Sequence, residues 1–380
     1  MKIAVNTRLL LKGKLEGIGW YTYETMKRIV KNNPEHTFYF LFDRAYDESF
    51  VFSENVIPVV LNPQARHPFL FWIWFEISVC RFLKKTKVDL FLSPDGYLSL
   101  STKTPSVAVI HDLNFEHYPK DLPWLVRKYY RYFFPRFAKK ARRIVTVSEF
   151  SKKDIQNQYE IETEKIDVTL NGMNSNFRIC SKEDIQATKQ RFSENEDYFL
   201  FIGSLQPRKN LVNMFKAFDL FKKEHPSKIK LLIVGEKKWW TNDISAAYNG
   251  LQFKNEVIFL GRLEPEDLCK VLSSSLALVY VSYFEGFGIP IIEAYRCGTA
   301  VITSNVTSMP EVAGDAALLV DPFSVTEISN AMSEITFNKE LRDELIAKGQ
   351  IRKDDFSWDI TSQKLWESVM KTVNEKNSLQ

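Results

Sequence analysis

At 380 residues the chain exceeds one ordinary core and points to two domains. Its 45% hydrophobic and 26% charged residues are average for a soluble globular protein, which excludes disorder outside the last residues, 374–380. The net charge is only +4 but divides unevenly: residues 1–178 hold 27 Lys+Arg against 19 Asp+Glu, the remainder 24 against 28. A basic half and a mildly acidic half imply different partners.

The N-terminus, MKIAVNTRLL, lacks the apolar run of a signal peptide and opens a first strand, KIAVN (2–6). TFYFLF (37–42), VDLFL (88–92), SVAVIH (106–111) and RIVTV (143–147) read as further strands, with helical patterns near 18–32, 69–86, 122–141 and 149–159. Polar turn formers in 171–184 then interrupt the rhythm, and it resumes with YFLFIG (198–203), KLLIVG (230–235), VIFLG (257–261), LALVYV (276–281) and TAVIT (299–303). Near-continuous apolar strands separated by helices predict parallel sheets covered on both faces. The fold class is therefore α/β, a doubly wound architecture twice over, with domains at 1–175 and 176–357. A last helix in 358–380 places Trp358, Leu365, Trp366 and Val369 on one side and is expected to dock back on the first domain.

The most apolar window, FLFWIWFEISVC (69–80), is broken by Glu76 and followed by Arg81, Lys84 and Lys85, so it is too short to span a bilayer. Four cysteines without CxxC spacing and five histidines without an HExxH grouping predict neither disulfides nor a bound metal. No cofactor is expected, and the location read from these features is cytoplasmic. WLVRKYYRYFFPRFAKKARR (124–143) holds eight basic residues, seven aromatics and no acid. With 69–85 it invites either a core reading or peripheral contact with an anionic membrane. No nucleic-acid module accompanies the charge, so nucleic acid is not an expected partner.

In open α/β sheets, ligands lie beyond the carboxyl ends of strands. There the chain places Gly203 and Ser204, then the basic pair Arg208-Lys209 at an expected helix start. Cations belong at that positive end if an anion such as a diphosphate sits there. After LALVYV comes SYFEGFGIPIIE, where Gly286 and Gly288 let backbone N–H groups approach a phosphate and Pro290 can start a helix. Glu285 precedes that helix and Glu293 is expected in about its first turn; carboxylates there can accept hydrogen bonds from sugar hydroxyls. Gly17 and Gly19 form a further glycine turn, able to offer backbone donors to phosphate or acceptor. His111-Asp112 ends a central strand.

EGFGIPIIE matches an E-x7-E motif, and with GSLQPRKN, His111-Asp112, VSEFSKKDI (147–155), TLNGMNSNF (169–177) and SNVTSMPEVAGDAALLVDP (304–322) the chain resembles the retaining GT-B glycosyltransferases of family 4 over nearly its whole length. The resemblance implies an acceptor-binding first domain, a nucleotide-sugar-binding second domain and a cleft between them. It implies that Arg208 and Lys209 hold the donor diphosphate, Glu293 the ribose and Glu285 the donor sugar. Gly286, Phe287, Gly288 and Ile289 would contact phosphate and sugar, Arg262 and Leu263 the base, and His111 a sugar hydroxyl. Relatives often carry arginine where this chain has Trp20, which puts a charged acceptor contact there in doubt. The implied reaction is metal-independent front-face transfer with retention, and no D-x-D motif is present. GIGWYTYE is similar to turns of mannosyl- and rhamnosyltransferases of bacterial surface polysaccharides, which makes GDP-mannose the first choice of donor. UDP-glucose, UDP-N-acetylglucosamine and UDP-galactose stay open, as does a saccharide or lipid-linked acceptor. The alternatives are a phosphorylase, a nucleotide-sugar epimerase, or a non-catalytic relative; the last would be expected to have lost Lys209 or Glu285.

Overall fold

The computed structural model describes residues 1–237 and 239–377. Its contacts divide the chain into two units, Met1–Gly172 with Ser357–Gln380, and Met173–Phe356. Among the described residues the first unit holds β1 (Lys2–Asn6), β2 (Thr37–Phe42), β3 (Val56–Val60), β4 (Leu90–Ser93), β5 (Ser106–Val109), β6 (Arg143–Thr146) and β7 (Ile166–Val168), in spatial order β3-β2-β1-β4-β5-β6-β7. The second holds β8 (Tyr198–Ile202), β9 (Lys230–Val234), β10 (Val257–Gly261), β11 (Ala277–Tyr280), β12 (Ala300–Ser304) and β13 (Leu318–Val320), in order β10-β9-β8-β11-β12-β13. Every pairing is parallel, as the apolar runs require. In each sheet the strand order reverses once, between β1 and β4 and between β8 and β11. Such reversal points open the crevice where α/β proteins bind ligands.

The strands that sequence reading passes over are β3, β7 and β13, all at sheet edges. An edge strand is paired on one side only, so it tolerates Pro58 in β3. Two of them are three residues long.

Packing follows helical periodicity. The helix Leu211–Glu224 buries Leu211, Met214, Phe215, Phe218 and Phe221, one apolar stripe against the second sheet. Each such side chain contributes about 1.5–3 kcal/mol when fully buried, and Phe215→Ala would cost about 3–5 kcal/mol. This stripe anchors the turn that carries Arg208 and Lys209. In the first unit, the helix Trp358–Asn377 buries Trp358, Leu365 and Val369. Trp366 is half-buried beside His36 and Phe38, and Arg28 Nε meets Asp359 Oδ1 at 2.6 Å. A side chain at Gly172 would meet the Trp358 backbone nitrogen at 2.2 Å, so this close approach needs glycine. Residues 374–377, read as disordered from sequence, continue the helix; residues 378–380 lie outside the described residues.

The segment read as one helix over 69–86 is an α-helical turn at Pro68–Ile73, a π-helical stretch at Trp74–Val79 and a second α-helix at Cys80–Thr86. The core-or-surface alternative for 124–143 resolves as both. The helix Trp124–Lys140 buries Tyr129, Phe134 and Phe137, while Trp124, Leu125 and Tyr132 stay exposed. No helix among the described residues is long and apolar enough to cross a membrane.

Candidate active site

At the reversal point of the second sheet the chain leaves β8 through Gly203 and Ser204 and forms one 3₁₀ turn, Pro207–Lys209. Asn210 then takes a left-handed conformation at φ 60°, and its amide donates to Val281 O (2.9 Å) and Pro322 O (2.6 Å). Arg208 and Lys209 therefore sit in the turn before the helix Leu211–Glu224, not at the helix start expected from sequence. The anion that meets them belongs to the protein. Lys209 Nζ lies 2.5 Å from Glu285 Oε1, and Arg208 Nη1 donates to Glu285 Oε2 and to Phe284 O (3.1 Å). Lys209 also donates to the Tyr280 hydroxyl at the end of β11. Burial pushes the Glu285 carboxyl up, but Arg208 and Lys209 outweigh it and hold the group at about 2. Burial beside Glu285 pushes the Tyr280 phenol well above its ordinary value. Two cations here meet one carboxylate.

The loop that carries Glu285 is pinned. Tyr283 N donates to Arg208 O (3.0 Å), and Ser308 Oγ lies 2.9 Å from Glu285 O and 3.1 Å from Phe287 O, both of which accept. Phe287 is buried, edge-on to Phe356 at 5.8 Å. Gly288 stands at φ +107°, where a side chain would also press on Met309 at 2.9 Å. It turns the chain into the helix Ile289–Arg296. Gly288 and Ile289 donate their N–H groups to no partner among the described residues, so these donors point where the helix is positive. Gly286 is buried in the same loop.

Glu293 falls in the second turn of that helix rather than the first. Its half-buried carboxylate has no hydrogen bond or ion pair among the described residues. Desolvation, with the nearby Cys269 thiol, pushes it up to about 8. Cys269 Sγ lies 4.0 Å from Cys297 Sγ, and both are free thiols. Arg262 and Leu263 follow the edge strand β10, two strands along from β8.

The remaining sequence candidates lie in the first unit. Gly17 and Gly19 are not in a turn: they occupy the first turn of the helix Gly17–Asn32, Gly17 exposed and Gly19 packed 3.0 Å from Leu9 O as measured from its would-be Cβ. His111 sits two residues beyond β5. Its Nε2 is 2.8 Å from Pro94 O, and a carbonyl only accepts, so Nε2 carries the proton and Nδ1 presents a lone pair. Burial lowers its pKa, which keeps the ring neutral, and Tyr21 packs edge-on at 5.0 Å.

Sequence reading missed the cluster at the reversal point of the first sheet. Asp95, after β4, accepts from Arg8 Nε (2.7 Å), Asn6 Nδ2 (2.6 Å) and Ser93 Oγ (3.0 Å). The Arg8 guanidinium lies 4.6 Å over the Tyr97 ring. The available signal was the polar residues closing two apolar strands, Asn6-Thr7-Arg8 and Ser93-Pro94-Asp95; nothing local shows that they meet.

Residues 182–352 match the family described as Glycosyl transferases group 1, and residues 15–177 match Glycosyltransferase Family 4. The chain belongs to this family. It is a glycosyltransferase with the GT-B fold, as the two parallel α/β sheets and its structural neighbours agree. The glycosyltransferase is 29% identical over 282 residues to the O-antigen chain mannosyltransferase B of Escherichia coli, covering 73% of each chain. It is 28% identical over 267 residues to the serotype-specific mannosyltransferase WbdA of Escherichia coli, covering 68% of this chain but only 32% of that longer protein. Its fold superposes with a TM-score of 0.75 on Anabaena Alr3699/HepE, solved in complex with UDP-glucose, at 18% identity over 98% of this chain and 100% of that one.

Proposed function

We propose that this glycosyltransferase moves a hexose from a nucleotide-diphosphate sugar, with GDP-mannose the first choice, to a saccharide or lipid-linked acceptor in bacterial surface-polysaccharide synthesis. Transfer proceeds with retention at the anomeric carbon, needs no metal, and takes place in the cytoplasm with peripheral contact at the membrane. The observation that carries the reading is the Arg208–Glu285–Lys209 trio at the β8/β11 reversal point, beside the N-terminus of the helix Ile289–Arg296. The mannosyltransferase relatives support the donor and the pathway class.

In this reading Arg208 and Lys209 stabilise charge that develops on the departing diphosphate, the preorganised electrostatics that lower a transfer barrier. Their salt bridges to Glu285 hold both side chains at the end of β8 before the donor arrives. The carboxylate of Glu285, ionised down to about pH 2, is left to accept from donor-sugar hydroxyls. The Gly286–Ile289 backbone offers N–H groups to phosphate, and Glu293 accepts from the ribose. Arg262 and Leu263 border the base. His111 Nδ1, unprotonated, accepts from a sugar hydroxyl. The acceptor hydroxyl attacks on the same face that the diphosphate leaves, and its proton passes to the departing phosphate oxygen.

The test is a melting-shift panel of nucleoside diphosphates and nucleotide sugars with a chelator present. A ligand at a hundred times its dissociation constant adds about 2.7 kcal/mol. GDP and GDP-mannose should give the largest shifts; a shift with UDP alone reassigns the base, and none at all overturns the donor reading. Proton NMR of the product, showing the donor's anomeric configuration, checks retention.

A further inference from the structure

In the second unit two aromatic rings stack at the carboxyl ends of the strands, where open α/β sheets bind ligands. Tyr283 follows β11 and Phe323 follows β13; their centroids lie 6.0 Å apart with the planes inclined by 21°. Tyr283 is half-buried, whereas Phe323 is 60% exposed. One face of the Phe323 ring rests on Tyr283, and the other meets solvent.

A ring exposed singly needs no explanation, but this one is held in place. Phe323 N donates to Asp321 Oδ1 (2.9 Å), and Pro322 O accepts from Asn210 Nδ2 (2.6 Å) and Asn213 Nδ2 (3.0 Å). Asn210 follows Lys209 in the chain, and Tyr283 N donates to Arg208 O (3.0 Å). Both rings are thereby fastened to the turn that carries the two cations of the donor trio. Close by, Asp321 keeps a free acceptor: its Oδ2 has no hydrogen bond or ion pair among the described residues.

A flat apolar face with a carboxylate two residues away suits one class of ligand. The C–H face of a pyranose packs on an aromatic ring, and the hydroxyls at its rim donate to a carboxylate. An apolar peptide or lipid chain would desolvate Asp321 without meeting it, and a phosphate would meet it as a like charge.

We propose that Tyr283, Phe323 and Asp321 form a saccharide subsite, in which a hexose unit of the acceptor lies on the open face of Phe323 and one of its hydroxyls donates to Asp321 Oδ2. The inference rests on the saccharide-acceptor part of the proposed function and gives that saccharide a contact on the unit that carries the donor trio.

The experiment is saturation-transfer difference NMR of the full chain with α-linked mannotriose and with maltotriose. Wild type should transfer saturation to the C–H protons of at least one of them. Phe323→Ala removes the ring face and should weaken that binding about tenfold. Phe323→Trp, which keeps a flat ring, should restore it. Asp321→Asn leaves Oδ1 for Phe323 N but offers a neutral acceptor, and should weaken binding about threefold. Melting temperatures and GDP shifts of the variants should equal those of wild type, since the ring stands in solvent. No transfer from wild type to either sugar, or undiminished binding by Phe323→Ala, would overturn the inference. So would a wild-type dimer that Phe323→Ala dissociates, because the ring would then meet a second copy of the chain. Saccharide binding without a GDP shift leaves this inference standing and removes the donor reading; a GDP shift without saccharide binding does the reverse.

Discussion

The two sheets carry buried ion pairs at equivalent places, the strand-order reversals β1/β4 and β8/β11, yet the pairs differ in stoichiometry. In the first sheet one arginine, Arg8, meets one carboxylate, Asp95, whose remaining capacity is taken by Asn6 and Ser93. These bonds tie the end of β1 to the end of β4, which makes the pair a brace between the two strands. In the second, Arg208 and Lys209 share Glu285. The same topology thus hosts a one-to-one ion pair in one unit and, in the other, a trio at which the proposed function places the donor diphosphate.

The largest expected effect tests the brace. Arg8→Ala leaves Asp95 buried without its cation, and breaking such a pair costs about 3–5 kcal/mol. Denaturant unfolding should show that loss, while the melting shift from GDP survives. A variant of normal stability that no longer binds nucleotide would invert the comparison. Next comes Lys209→Ala: loss of one charge-stabilising donor should lower kcat by about 10²–10³-fold. If this variant loses stability but keeps its turnover, the trio is a second brace.

The two glutamates of EGFGIPIIE sharpen the contrast through pH. Glu285 is depressed from 4.5 to about 2, so its contribution to stability is present above about pH 4.5 and is lost as pH falls through 2. Glu293 is raised to about 8, so its contribution is present below about pH 4.5 and is lost as pH rises through 8. Glu293→Gln cannot ionise. Its melting temperature relative to wild type should therefore climb between about pH 5 and 9, and a flat difference would show that Glu293 is ordinarily solvated. The smallest effect belongs to Ser308→Ala. Losing the hydroxyl that bridges Glu285 O and Phe287 O should cost about 1 kcal/mol and loosen the loop, raising KM more than it lowers kcat.

Much of the fold is legible because it depends on short-range pattern. β8, β9, β11 and β12 are buried at every residue, and such strands announce themselves as unbroken apolar runs. β7 and β13 escape because they are three residues long, and β3 because Pro58 stands in the middle of its run. The candidate site is legible to the same depth. Arg208, Lys209, Glu285 and Glu293 stand out as charges beside glycine turns at strand ends, but their relations do not. The basic pair reads as waiting for a phosphate, and the structure first supplies Glu285, 76 residues from Lys209.

The sequence alone determines the alternation of strand and helix, the placement of glycine and proline where the chain must turn, and the family. Each is written in neighbours a few residues apart, where steric and periodic constraints act. Tertiary structure decides that Asp95 closes on Arg8, 87 residues away, that Glu76 folds inward and leaves its apolar face bare, and that two carboxyls eight positions apart titrate in opposite directions. Those outcomes depend on which distant atoms arrive and which waters they displace. Electrostatics and desolvation are properties of the folded surroundings, and local pattern does not encode them.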